Sequence, residues 1–358
     1  MIDLRRLVVA RTPTWWQRAL RLALVPCAIP YWLASQAKNW LFDSGWRSVH
    51  QSSLPTISVG NLSVGGTGKS PTVAWVAGLL RKSGVRVAVL SRGYGQLEHG
   101  QNDEALELEI LFPDVPHLQH WDRVASSRIA EEEFQMEALL LDDGFQHRRL
   151  GRDLDIVLID ASDPPRARRV LPWGLFREPM SNLKRAQIVI LTRVEDAQPG
   201  ELAALRRATR RFAANSLHLE ASFAPRRLFQ FHGADRDCSV LKGKKILAFC
   251  GIGNPEAFFS SLADRVGAEV LATKVWPDHH AYAIEDVVQM EAWTGGFDSV
   301  DFIVCTMKDA VKLQVAKLNG VPLVALQIEL HLTPTGELAL SQRIDECVVA
   351  PEKPLKSS

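Results

Sequence analysis

PTISVGNLSVGGTGKSPTVAWVAGLLRK, residues 55–82, decides how this chain is read. Residues 55–59 form a short β-branched run, which predicts a buried strand. Residues 63–70, SVGGTGKS, are a glycine-rich loop. Residues 71–82 have helical spacing and open on Pro71, where a proline in the first turn is tolerated. Strand, glycine loop and helix in that order are the setting of a phosphate-binding loop. Glycines let backbone N–H groups turn towards phosphate oxygens, and the helix N-terminus adds a positive dipole. Lys69 is placed to reach the β- and γ-phosphates and Ser70 to ligate Mg²⁺. The nucleotide-binding set is therefore Ser63, Val64, Gly65, Gly66, Thr67, Gly68, Lys69 and Ser70. Ser63 stands where the full pattern has its first glycine.

Outward from the loop, apolar runs recur at residues 85–90, 138–141, 155–159, 188–191, 246–249, 301–305 and 321–327. Short strands alternating with helical stretches predict an α/β fold: a P-loop-type, mostly parallel sheet with helices on both faces, plus a second, smaller α/β domain. The expected divisions are residues 1–50, 51–228, 229–340 and a tail at 341–358. A phosphate loop needs a carboxylate at a neighbouring strand end to hold the metal. EALLLDDG, residues 137–144, supplies two, Asp142 and Asp143, with the choice between them open.

A net charge of +1 excludes a global field for nucleic acid. Five dispersed cysteines without a CxxC pair fit a reducing compartment and argue against zinc. Residues 1–50 carry seven Lys/Arg against two acids, a local +5 that leaves −4 for the remainder. They also hold five of the ten tryptophans: Trp15, Trp16, Trp32, Trp40 and Trp46. The apolar run at 22–34, interrupted by Pro26 and Pro30, is shorter than the about 20 residues a membrane-crossing helix requires. A basic, tryptophan-rich segment of this kind predicts a peripheral membrane contact in the interface. A cleaved signal peptide and a helix packed on the protein's own core are the other readings, the first weakened by the two prolines.

Loop and carboxylates specify a nucleotide, not an acceptor. VGNLSVGGTGKSP (59–71), SRGYG (91–95), DDGFQHRRLGRDLDIVLIDA (142–161), LPWGLFREP (171–179), CGIGNPEAFF (250–259), DHHAY (278–282) and TMKDAVKL (306–313) occur in this order. Together they resemble the tetraacyldisaccharide 4′-kinase family over roughly residues 15–335. The resemblance implies ATP and Mg²⁺, a lipid A disaccharide 1-phosphate as acceptor, and a lipid IVA product. It also implies action at the cytoplasmic face of the inner membrane, and two α/β/α domains joined by a strand linker with the active site in their cleft. By position, Asp103 matches the family's catalytic base and His279 the histidine that partners it, with His280 the other choice for that partner. Arg177 matches a basic residue near the transferred phosphate. Ser70 and Met307 depart from an expected threonine and glutamate.

Two other functions share the loop. A deviant-Walker membrane ATPase needs a second, signature lysine early in the loop, where Ser63 and Val64 stand. A GTP-binding chaperone needs an NKxD guanine reader, and LTRVED (191–196) has Thr192 and Arg193 in place of its Asn and Lys. GIGNP (251–255) lacks the third glycine of a dinucleotide fingerprint and reads as a tight turn.

Overall fold

The computed structural model describes residues 4–10, 12–93, 103–278 and 280–349. These divide into two compact units: residues 1–92, 115–223 and 330–358, and residues 93–114 with 224–329. The second unit thus takes in residues 93–114, which the sequence reading places with the phosphate loop. The first takes back 330–349, part of which reads as tail.

The first unit opens on three helices, α1 (Leu4–Val9), α2 (Trp15–Ala23) and α3 (Val25–Asp43). β1 (Thr56–Asn61), α4 (Lys69–Lys82) and β2 (Val87–Ser91) follow, and α5 (Asp103–Leu111) belongs to the second unit. The chain then forms β3 (His117–Gln119), α6 (Arg123–Glu132), β4 (Ala138–Asp142), β5 (Leu154–Asp160), β6 (Ile188–Thr192) and α7 (Pro199–Phe212). β7 (Leu217–Phe229) ends this run, its last residues lying in the second unit. The strand order β7-β6-β5-β1-β4-β2-β3 is parallel throughout. β1, β4 and β5 are buried at every residue, because helices cover both faces of a parallel sheet. β4 is a continuous apolar stretch up to Asp142, whereas β1 also buries the polar Thr56, Ser58 and Asn61 and β5 buries Asp155.

β1 sits between β4 and β5, with Val59 opposite both Asp142 and Ile156. The chain leaves β1 towards one side of the sheet and later returns to the other. Ligands collect at the carboxyl end of such a switch point. The loop 62–68 occupies that end.

The second unit adds β8 (Arg236–Asp237), β9 (Lys245–Cys250), α8 (Pro255–Ser260), β10 (Glu269–Val275), α9 (Ile284–Gly295), β11 (Phe302–Thr306), α10 (Met307–Leu313), β12 (Lys317–Leu318) and β13 (Val321–Leu332). Its central strands run β10-β9-β11-β13, all parallel. α11 (Pro334–Val349) then packs in the first unit, where Leu340 and Ile344 are buried.

The N-terminal apolar run breaks at Leu24, between α2 and α3, and both of its prolines lie within α3. Pro26 lies in the first turn of α3, where its missing N–H has no partner to lose. Pro30 is accommodated inside the same 19-residue helix. No helix among the described residues is long and apolar enough to cross a membrane.

Candidate active site

The phosphate loop is held residue by residue. Ser63 bridges to Phe176, and the Val64 amide donates to the Leu175 carbonyl at 2.8 Å. Thr67 is buried: its hydroxyl accepts from Asn61 Nδ2 at 2.9 Å, and its carbonyl accepts from Thr192 Oγ1 at 3.0 Å. Arg193 Nη1 donates to the Gly66 carbonyl at 2.7 Å and pairs with Asp160. Gly68 has φ +89°, and a Cβ there would run into the Phe223 ring, so only glycine fits. The LTR of residues 191–193 is therefore no base reader but a brace for the loop. No pattern of short-range spacing announces such a contact across 125 residues.

Lys69 and Ser70 open α4. Asp142 ends β4 and is buried; Asp143 follows with φ +52°. That left-handed turn is sterically costly for a residue other than glycine and re-aims the carboxylate. A Cβ on the next residue, Gly144, would lie 2.5 Å from Ser58 Oγ, so the DDG turn is packed directly on β1. Asp143 Oδ2 accepts from Arg177 Nη1 at 2.6 Å, and Oδ1 lies 3.7 Å from Lys69 Nζ. Burial alone would raise the Asp143 pKa, but Lys69 and Arg177 outweigh it and hold the carboxyl below its ordinary value. Arg177 also meets Gln146 Oε1 at 3.3 Å, and Gln146 donates to the Asn61 carbonyl at 2.8 Å. Arg123, which the sequence reading did not select, donates to the Asp142 carbonyl at 2.8 Å and to the Asp143 carbonyl at 3.4 Å.

The donor set fits Mg²⁺. A serine hydroxyl and two carboxylates are hard oxygen ligands, too few to complete a shell, as befits an ion that keeps waters and phosphate oxygens. Asp143 Oδ1 is buried and accepts no hydrogen bond, so an acceptor is available there for a cation.

The DDGFQHRRL segment divides its work. Arg148 donates to the Asn39 carbonyl at 2.9 Å and pairs with Asp43 at 2.7 Å, which closes the end of α3. Lys38 Nζ donates to the Gln146 carbonyl at 3.1 Å. His147 is depressed to about 4 by burial, reinforced by Arg123 and Arg152, and is neutral at ordinary pH.

In the second unit Asp103 starts α5, and its Oδ2 lies 3.2 Å from Lys312 Nζ of α10. Both side chains are about 5% exposed or less. Glu104 meets Lys308 at 3.6 Å, one turn earlier on α10. His279 lies outside the described residues. His280 pairs with Asp286 at 2.9 Å and stacks on Trp276, which assigns it to α9 instead of Asp103. Asp309 gathers the remaining motifs: its carboxylate accepts from the Gly251 amide, Tyr282 Oη and Thr306 Oγ1 at 3.1, 2.9 and 2.6 Å. GIGNP, DHHAY and TMKDAVKL are thus tied by one buried acid.

A parallel sheet with a lysine-bearing phosphate loop at its switch point, faced by a carboxylate pair and an arginine, defines a P-loop phosphotransferase. A model of the family described as Tetraacyldisaccharide-1-P 4′-kinase matches residues 20–347. The chain belongs to that family, the ATP-dependent 4′-kinases of lipid A biosynthesis. It is 38% identical over 315 residues to a tetraacyldisaccharide 4′-kinase of Geobacter metallireducens, covering 83% of this chain and 89% of that one. The homologue of Geobacter sulfurreducens is 33% identical and covers 92% and 94%. A crystal structure of LpxK from Aquifex aeolicus in complex with ATP superposes with a TM-score of 0.73. It is 29% identical and covers 91% of this chain and 99% of that one.

Proposed function

We propose that the chain moves the γ-phosphate of ATP to the 4′-hydroxyl of a tetraacyldisaccharide 1-phosphate, giving lipid IVA, with Mg²⁺ held by Ser70, Asp142 and Asp143. The observation that carries this is the Asp143 carboxylate drawn between Lys69 and Arg177 beside the phosphate loop. Those two cations share one anion when no nucleotide competes, and phosphate oxygens of ATP are the natural replacement. Lys69 then lies over the β- and γ-oxygens, and Arg177 meets the charge that develops on the transferred group. Mg²⁺, when bound, neutralises phosphate charge and aligns it for in-line attack. Asp103 takes the proton of the acceptor hydroxyl, with His279 as its partner and Lys312 holding the carboxylate in place. The unit with the phosphate loop serves as the kinase domain.

The acceptor is a lipid, so the enzyme works as a peripheral protein at the cytoplasmic face of the inner membrane. The N-terminal helices support this. Trp15, Leu22, Ile29, Leu33 and Trp40 are all more than half exposed, an apolar surface on one short run of chain.

Incubation with ATP, Mg²⁺ and the lipid disaccharide 1-phosphate tests the reaction, read as product mass and position of the new phosphate. A product lacking phosphate at the 4′ position would refute it.

A further inference from the structure

α1 lies ahead of the family-matched residues, which begin at 20, yet it is docked against the phosphate loop. Leu7 and Val8 are buried, and Val8 packs with Ala167, Leu175 and the loop's own Val64. The chain after α1 is pinned from two sides. Arg166 donates to the carbonyls of Val8, Val9 and Ala10 at 2.9, 3.0 and 2.6 Å. Arg21 of α2 reaches back to the Leu7 and Ala10 carbonyls. This docking carries Arg5 to the loop. Its Nη2 pairs with Asp163 Oδ1 at 3.1 Å, and its Nη1 lies 2.5 Å from where a Cβ on Gly65 would stand.

Gly65 has φ +111°, a conformation open in practice to glycine alone, and the guanidinium fills the space its absent side chain leaves. The neighbouring Gly66 is held from another direction by Arg193, which also pairs with Asp160. Asp163 is pushed up to about 6 by burial and by Asp160, while Arg5, Arg193 and Arg168 pull it down. Two buried acids beneath the loop thus depend on guanidiniums that touch consecutive glycines. A cation early in the loop is what the sequence lacks at Ser63 and Val64, and Arg5 brings one from about sixty residues away.

We propose that Arg5, oriented by Asp163, is a positioning residue that braces Gly65 in the conformation that accepts the nucleotide phosphates. The proposal rests on the phosphate-loop assignment above. It makes the start of this chain part of its ATP site, outside the residues the family model covers.

Calorimetric titration of the full chain with ATP and Mg²⁺ tests it by binding, apart from turnover. Arg5→Ala is expected to weaken ATP about five- to tenfold, with kcat at saturating ATP and KM for the lipid within about twofold. Arg5→Lys, which keeps a charge for Asp163, is expected to recover part of the affinity, and Arg5→Gln none. Asp163→Asn is expected to act in the same direction, with the double variant costing less than the product of the two. Unchanged ATP affinity in Arg5→Ala, alongside a loss in Lys69→Ala, would overturn the brace and leave the phosphate loop standing. A fall in melting temperature and kcat together with a rise in lipid KM would overturn it too, by making Arg5 a packing residue. Unchanged affinity in Lys69→Ala as well would instead remove the loop assignment, and the brace with it.

Discussion

Two clusters, one in each unit, hold their charged groups in opposite ways. Beside the phosphate loop, Lys69, Asp143 and Arg177 are 15%, 29% and 26% exposed. In the second unit the Asp103–Lys312 pair is 5% and 3% exposed. A half-open cluster exchanges partners at low cost, because water and ligand oxygens replace what is broken. A sealed pair does not, since removing one member strands a buried charge at about 3–5 kcal/mol. The first arrangement suits groups that must let go of each other when a nucleotide arrives. The second suits a carboxylate fixed in one place, as the base proposed above must be.

The comparison breaks most visibly at Lys69. Lys69→Ala is expected to lower kcat about a thousandfold while leaving the melting temperature within a few degrees, because Asp143 keeps Arg177 as its partner. A folded variant with near-normal turnover would end the assignment. Asp103→Ala is expected to cost about a hundredfold or more in kcat with little change in ATP affinity. Paired with His279→Ala, the double variant should lose less than the two losses combined, and full additivity would show that the two do not cooperate.

Next in size is the metal. Asp142→Asn and Asp143→Asn are expected to raise the Mg²⁺ needed for half-maximal rate, by about tenfold for at least one of them. Titration of rate against Mg²⁺ for both decides this, and superimposable curves would leave the pair structural. Lys312→Met sharpens the contrast from the other side. It should reduce stability and kcat together, whereas Arg177→Met, at a less buried position, should reduce kcat with a smaller change in melting temperature.

The smallest effect concerns Glu107, one turn beyond Asp103. Burial pushes it up to about 7, against the pull of Lys308. Folding therefore favours its protonated form. That contribution is complete below the ordinary value of 4.5 and is lost as pH rises through 7. Glu107→Gln should melt with wild type near about pH 4 and above it near about pH 8. Equal melting at both would place the carboxylate in solvent.

What was legible in the chain was what is local. Residues 55–82 carry strand, loop and helix in one window, and each glycine and the lysine act within a few residues of themselves. The buried strands β4 and β6 read directly, since a parallel sheet covered on both faces leaves nearly uninterrupted apolar runs. The place of Asp142 at a strand end, with Asp143 next to it, was legible because a strand end imposes its own spacing.

Contacts that close over long separations were not. Arg193 gripping Gly66, Phe223 over Gly68, Arg5 against Gly65 and Lys312 on Asp103 join residues between about sixty and two hundred apart, and no periodicity marks them. The grouping of residues 93–114 with the second unit has the same origin: an excursion that leaves one sheet and returns looks in sequence like any other helix and loop. The sequence alone determined the chemistry, because reactive groups and the backbone freedom they need are properties of short segments. Only the tertiary structure decided which charges hold the loop and which hold Asp103, because those pairings are set by where the chain folds back.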